Sequence, residues 1–132
     1  MMKKILYSLT IVGAVATAAL AGCAAQPGIE GRWLAPSFVA LQQMCSNAPQ
    51  VDYGREAPEV YSAVYDAYVA SRHGKLTHEQ FCAFQADLAQ HYTTQAQSPD
   101  AQARNEWVAY FNNQRATAIA WRATVDPTLR GF

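Results

Sequence analysis

Apolar residues are distributed along this chain in two ways. Residues 5–19 form one unbroken apolar run, whereas beyond residue 36 the apolar positions recur every three or four residues. That second spacing is the signature of helices with one buried face. Phe38, Leu41 and Cys45 share such a face, so a first helix is predicted from Ser37 to about Cys45, ended by Ser46-Asn47-Ala48-Pro49. Residues 46–57 read as a loop. A second helix opens at Pro58, where the missing N–H costs nothing in a first turn. Glu59 complements the positive end of its dipole. Val60, Tyr61, Val64, Tyr65 and Tyr68 form its apolar stripe, and Gly74 stops it. A third helix begins with a capping box, Thr77-His78-Glu79-Gln80, and Leu76 and Phe81 are placed to form the matching hydrophobic staple. Phe81, Phe84, Leu88 and Tyr92 carry its inner face, and Thr93 to Gln97 are expected to fray. A fourth helix starts at Ser98-Pro99-Asp100, read as a cap, a first-turn proline and an acid, and runs to about Thr124, stopped by Asp126-Pro127. Trp107, Phe111, Gln114, Ala118, Trp121 and Val125 form its seam. No stretch alternates over a strand length. The expected fold class is all-α: a four-helix, bundle-like domain with short loops.

The first apolar run has a different meaning. It is about 15 residues long, shorter than the roughly 20 that a spanning helix needs. A short basic start, Met1 to Lys4, precedes it, and Leu20-Ala21-Gly22-Cys23 follows it. This pattern is that of a secretory signal. Its end resembles the lipobox of bacterial lipoproteins. The resemblance implies lipidation of Cys23, cleavage before it, and a chain that begins at an acylated cysteine. Ala24 follows the cysteine, where aspartate would mark inner-membrane retention in Gram-negative lipoproteins. The implied location is the outer membrane, on its periplasmic face. The expected organisation is a signal peptide over 1–22, a lipidated cysteine and tether over 23–36, and a helical periplasmic domain over 37–132.

Removal of residues 1–22 takes Lys3 and Lys4 from ten basic residues, leaving eight against ten acidic, a net charge near −2. That balance offers no electrostatic footprint for nucleic acid. About 110 residues remain, enough for one domain. With Cys23 assigned to lipid, Cys45 and Cys82 are an even pair in an oxidising compartment, and a disulfide tying helix one to helix three is expected. It would close a loop of about 37 residues, worth roughly 4 kcal/mol in the chain-entropy picture.

Candidate chemistry is sparse. His78 and Cys82, and Asp87 and His91, are each four apart on helix three, a spacing that puts two metal ligands on one face. A disulfide at Cys82 would remove its thiolate, and the two pairs point in opposite directions, so no metal or cofactor is expected. No nucleophile motif surrounds Cys45, Cys82, Ser37, Ser62 or Ser71. Glu56 and Glu59 sit at a helix start, where acids are expected for electrostatic reasons alone. No catalytic residue is assigned, and the chain reads as a non-enzyme.

Tyr61, Tyr65 and Tyr68 are the remaining feature. Three hydroxyls on one stripe must each find a partner or water, which suits either a core edge or a partly wet binding face. Tyr61 and Tyr68 are expected to be partly buried, with Tyr65 the best contact for a partner. The lipobox, the segment Gln42-Gln43-Met44-Cys45 followed by Pro49, and the all-helical size resemble the pilotins of type II secretion. Those small lipoproteins carry secretin subunits to the outer membrane by binding a segment that folds as a helix. The resemblance implies a lipid-anchored, non-catalytic binding module whose partner is an envelope protein. The alternative is a lipoprotein inhibitor or immunity protein acting against a toxin or hydrolase.

Overall fold

In the computed structural model, residues 35–46 and 48–126 are described. They form four α-helices and no strand: α1 (Phe38–Gln43), α2 (Ala57–Arg72), α3 (His78–His91) and α4 (Ala101–Val125). A 3-10 turn, Gly54–Glu56, leads into α2, and a π-helical turn, Tyr92–Ala96, follows α3.

The helix ends are chemically defined. The Ser37 hydroxyl accepts the Ala40 N–H and starts α1. This helix ends at Gln43, short of Cys45, which lies in the non-helical segment beyond the Met44 cap. Pro58 lies in the first turn of α2. At the other end, Lys75 N–H donates to the Ala70 carbonyl and Gly74 N–H to that of Ser71, at 2.9 and 3.1 Å. Gly74 takes φ +81°, which this reversal needs and a side chain would resist. The capping box of α3 is complete: Gln80 N–H donates to the Thr77 hydroxyl, and Thr77 N–H to the Gln80 side chain. Leu76 and Phe81 are both buried beside it. Asp100 caps α4 by accepting the Gln102 N–H.

The segment after α3 was expected to fray and instead continues as a wide turn. Thr93 Oγ1 donates to the Ala89 and Gln90 carbonyls, and Thr94 Oγ1 to that of Gln90. Hydroxyls bonded back in this way compete for the helical carbonyls and loosen the ladder. Tyr92 at its start is buried and holds the turn against the core.

Cross-helix pairs give the topology. Glu56, Glu59 and Asp66 of the α2 region meet Trp107, Arg115 and Arg122 in step, so α2 and α4 run parallel. Phe84 meets Trp121 and His91 meets Tyr110, so α3 runs antiparallel to α4. The result is an up-down-up set of three long helices, with α1 laid against α2 and α3. Cys45 and Cys82 are joined by a disulfide, their Cα atoms 5.3 Å apart, and bind α1's end to α3. Buried Gln85 reinforces the junction, donating to the Leu41 carbonyl at 2.8 Å and to Cys45 Sγ at 3.4 Å.

The core lies where α2 is enclosed. Leu41, Val60, Val64, Ala67, Ala70, Phe81 and Leu88 are almost wholly buried. Three of the residues that α2 buries, Ala63, Ala67 and Ala70, are small. On α4, Trp107, Phe111 and Ala118 are buried, while Gln114, Trp121 and Val125 are only half-buried. No helix among the described residues is long and apolar enough to cross a membrane.

Candidate binding surface

Aromatic rings form one connected band across α1, the connector before α2, α2 and α3. Tyr53 stacks on Phe38 at 5.5 Å between centroids, and Phe38 meets Tyr61 edge-on at 5.7 Å. Tyr61 stacks on Tyr65 at 5.9 Å, Tyr65 touches Tyr68 at 6.1 Å, and Tyr68 touches Phe81 at 6.2 Å. The middle of the band is core. Tyr61 is only 3 % exposed. Its hydroxyl donates to the Pro36 carbonyl at 2.8 Å, so its polar end is satisfied without water. Tyr61 therefore belongs to the interior and is not a half-open ring, which corrects the sequence-based expectation for it. Tyr65 and Tyr68 are half-buried, as a stripe at the margin of the α2 face should be. The Arg122 guanidinium lies 5.3 Å over the Tyr65 ring while donating to Asp66 at 2.6 Å. Held cations and half-covered rings present a rigid surface with little side-chain entropy left to lose on binding.

The other end of the band opens into a groove. Phe38, Val39 and Gln42 of α1 line one side, and Gln50, Val51, Asp52, Tyr53 and Ala57 the other, around a volume of about 390 Å³. One buried side chain sets its width. Gln42 accepts the Val51 N–H at 2.8 Å and donates to the Val51 carbonyl at 3.4 Å, acting as a surrogate strand for that residue. Asp52 accepts the Gly54 N–H, a local turn that swings Tyr53 inward. Val39, 55 % exposed, projects at the rim, and Met44 is exposed near the end of α1. Shape and lining are those of a recess for an apolar side chain, with few polar groups to orient it.

The residues weighed for chemistry are placed otherwise. His78 Nε2 lies 3.5 Å from Cys82 Sγ, but that sulfur is bonded to Cys45 and carries no thiolate for a metal. His91 stacks on Tyr110 at 3.7 Å, and its Nδ1 pairs with Gln95, so it serves the packing of α3 on α4. Glu56 accepts the indole N–H of buried Trp107 at 2.5 Å. Glu59 pairs with Arg115 at 3.8 Å. The two acids therefore face α4 separately and share no cleft. Burial pushes the Tyr110 hydroxyl up to about 12, with a smaller contribution from the Asp87 carboxylate. Burial likewise raises Tyr53.

Cys23 and the whole of Leu20-Ala21-Gly22-Cys23 lie outside the described residues. Gln42 and Gln85 were not anticipated from sequence. Each occupies a position that periodicity alone assigns to the core, and a polar residue there is the one available signal. No protein-family model, curated protein or solved structure matches this chain.

Proposed function

We propose that the protein is a lipid-anchored periplasmic binding module, without catalytic activity, that serves assembly or secretion of an envelope complex in the manner of a pilotin. The N-terminal pattern ending in Cys23 supports the anchor. The observation that carries the binding role is the aromatic band. Its buried centre, Phe38 and Tyr61, connects a recess beside Val39 to the half-covered Tyr65 and Tyr68. An amphipathic helix from an envelope protein would place apolar anchors in the recess and along the two rings. The outer membrane, through the N-terminal lipid, is the second partner; two or more acyl chains hold firmly where one binds reversibly.

Two measurements test this reading. Cells fed a palmitate analogue should label the wild-type protein and not Cys23→Ser. In pull-downs from envelope extracts, Val39→Asp, melting close to wild type, and Tyr65→Ala, less stable but still folded at the assay temperature, should both lose a captured envelope protein. Unlabelled wild type refutes the anchor. Retention of every partner by both folded variants refutes the binding surface.

A further inference from the structure

We infer that the Cys45–Cys82 disulfide is a thiol-exchange site with a fixed polarity: an external thiol attacks Cys82, and Cys45 leaves. Both cysteines are buried as residues, yet their sulfurs have different surroundings. Cys82 lines a recess of about 430 Å³ together with Ser46, His78 and Glu79. Cys45 is not among the residues of that recess, and buried Gln85 donates to its Sγ at 3.4 Å. His78, which also lines the recess, is exposed, and its Nε2 is 3.5 Å from Cys82 Sγ. This arrangement places Cys82 and not Cys45 on a recess, an imidazole beside the Cys82 sulfur, and a hydrogen-bond donor on the sulfur that would leave.

The step balances as follows. The thiol RSH gives its proton to the His78 imidazole. Its sulfur forms a bond to Cys82 Sγ as the Cys45–Cys82 bond breaks. The electron pair of that bond leaves on Cys45 as a thiolate, which accepts the Gln85 N–H. A second thiolate attacking the mixed disulfide at the external sulfur releases Cys82 and completes reduction. Run backwards, the same path makes Cys82 the point at which a disulfide-bearing oxidant engages the reduced chain, with Cys45 resolving. The substrate class is small thiols and exposed protein dithiols. Glu79 at the recess disfavours an anionic thiol, so a neutral probe is the appropriate one.

The test treats the oxidised full chain with 2-mercaptoethanol under native conditions. Acid quenching, denaturation, alkylation and peptide mass spectrometry then locate the adduct. The expected result is the mercaptoethanol adduct on Cys82 and an alkylated free thiol on Cys45, with a several-fold slower exchange in His78→Gln. An adduct on Cys45, an equal mixture, or exchange only under unfolding conditions overturns the polarity. A His78→Gln rate equal to wild type overturns the role of the imidazole. His78 is exposed and the substitution keeps the disulfide, so a folding defect does not obscure the answer.

Discussion

Truncating successive tyrosines of α2 separates the parts of the molecule that hold it together from the part proposed to bind. Tyr61→Phe keeps the ring between Phe38 and Tyr65 and removes only the hydroxyl that donates to the Pro36 carbonyl. A net hydrogen bond is worth about 1 kcal/mol. For a domain of this size that is a fall of roughly 4–8 °C in Tm. Tyr61→Ala also opens a cavity against two neighbouring rings, and an aromatic truncation in a core costs about 3–5 kcal/mol, or 15 °C and more. Tyr65→Ala removes a half-buried ring, of which only part of the area leaves water, and its cost is about 1–2 kcal/mol. Thermal and urea unfolding followed by far-ultraviolet circular dichroism, with the disulfide intact, measures all three. The expected order of stability is wild type, then Tyr61→Phe close to Tyr65→Ala, then Tyr61→Ala far below. If Tyr65→Ala falls as far as Tyr61→Ala, the whole stripe is core and the band has no open end. If Tyr61→Phe equals wild type, the Pro36 bond does not hold the start of α1.

Three further outcomes follow from the same contacts. Thr77→Ala, which removes the acceptor of the α3 capping box, should cost about 1 kcal/mol, and Phe81→Ala about 3 kcal/mol or more, by chemical denaturation; equal costs would show that the cap is more than a local device. Replacing both cysteines of the bridge with serine should cost about 4 kcal/mol by the loop-closure argument; an unchanged midpoint would refute it. Because the folded Tyr110 hydroxyl titrates near 12 against an ordinary value of 10, its stabilising contribution is complete below pH 10 and is lost as pH rises towards 12. Phenolate absorbance should show Tyr110 and Tyr53 ionising above the ordinary tyrosine range, and Tyr110→Phe should lessen the alkaline loss of stability.

Local chemistry was the most legible part of this chain. Thr77 and Gln80, Ser37, Pro58 and Gly74 each act within four residues of their own position, and each marks a helix end where sequence spacing places it, whereas α4 starts two residues later than Ser98 suggests, with Asp100 as its cap. The parity of Cys45 and Cys82 likewise identified their bond. What spacing could not show depends on neighbours far along the chain. Tyr61 and Tyr65 look alike in the α2 stripe, yet only Tyr61 turns towards α1 and reaches Pro36, twenty-five positions away. Ala63, Ala67 and Ala70 are quiet in a pattern dominated by tyrosines, although all three are buried in the core. Glu56 was assigned to a helix dipole and instead answers the indole of Trp107, fifty-one residues on. The groove is hidden for the same reason: Gln42 and Val51 belong to different segments, and only their mutual hydrogen bonds fix its width.

The sulfur bridge also decides how the molecule carries force. Cys45 and Cys82 are 37 positions apart in sequence and 5.3 Å apart in space. Tension applied between the two ends of the chain therefore crosses from α1 directly to α3 and never loads α2. At about 3.4 Å per extended residue, some 125 Å of contour length is kept out of the load path. Pulling can peel α4 away or unravel α3 beyond Cys82, while α2 and its tyrosines stay within a closed covalent ring. Opening that ring with a thiol would release the hidden length at once, so a single molecule stretched from its ends should lengthen in one step when the bridge is cut.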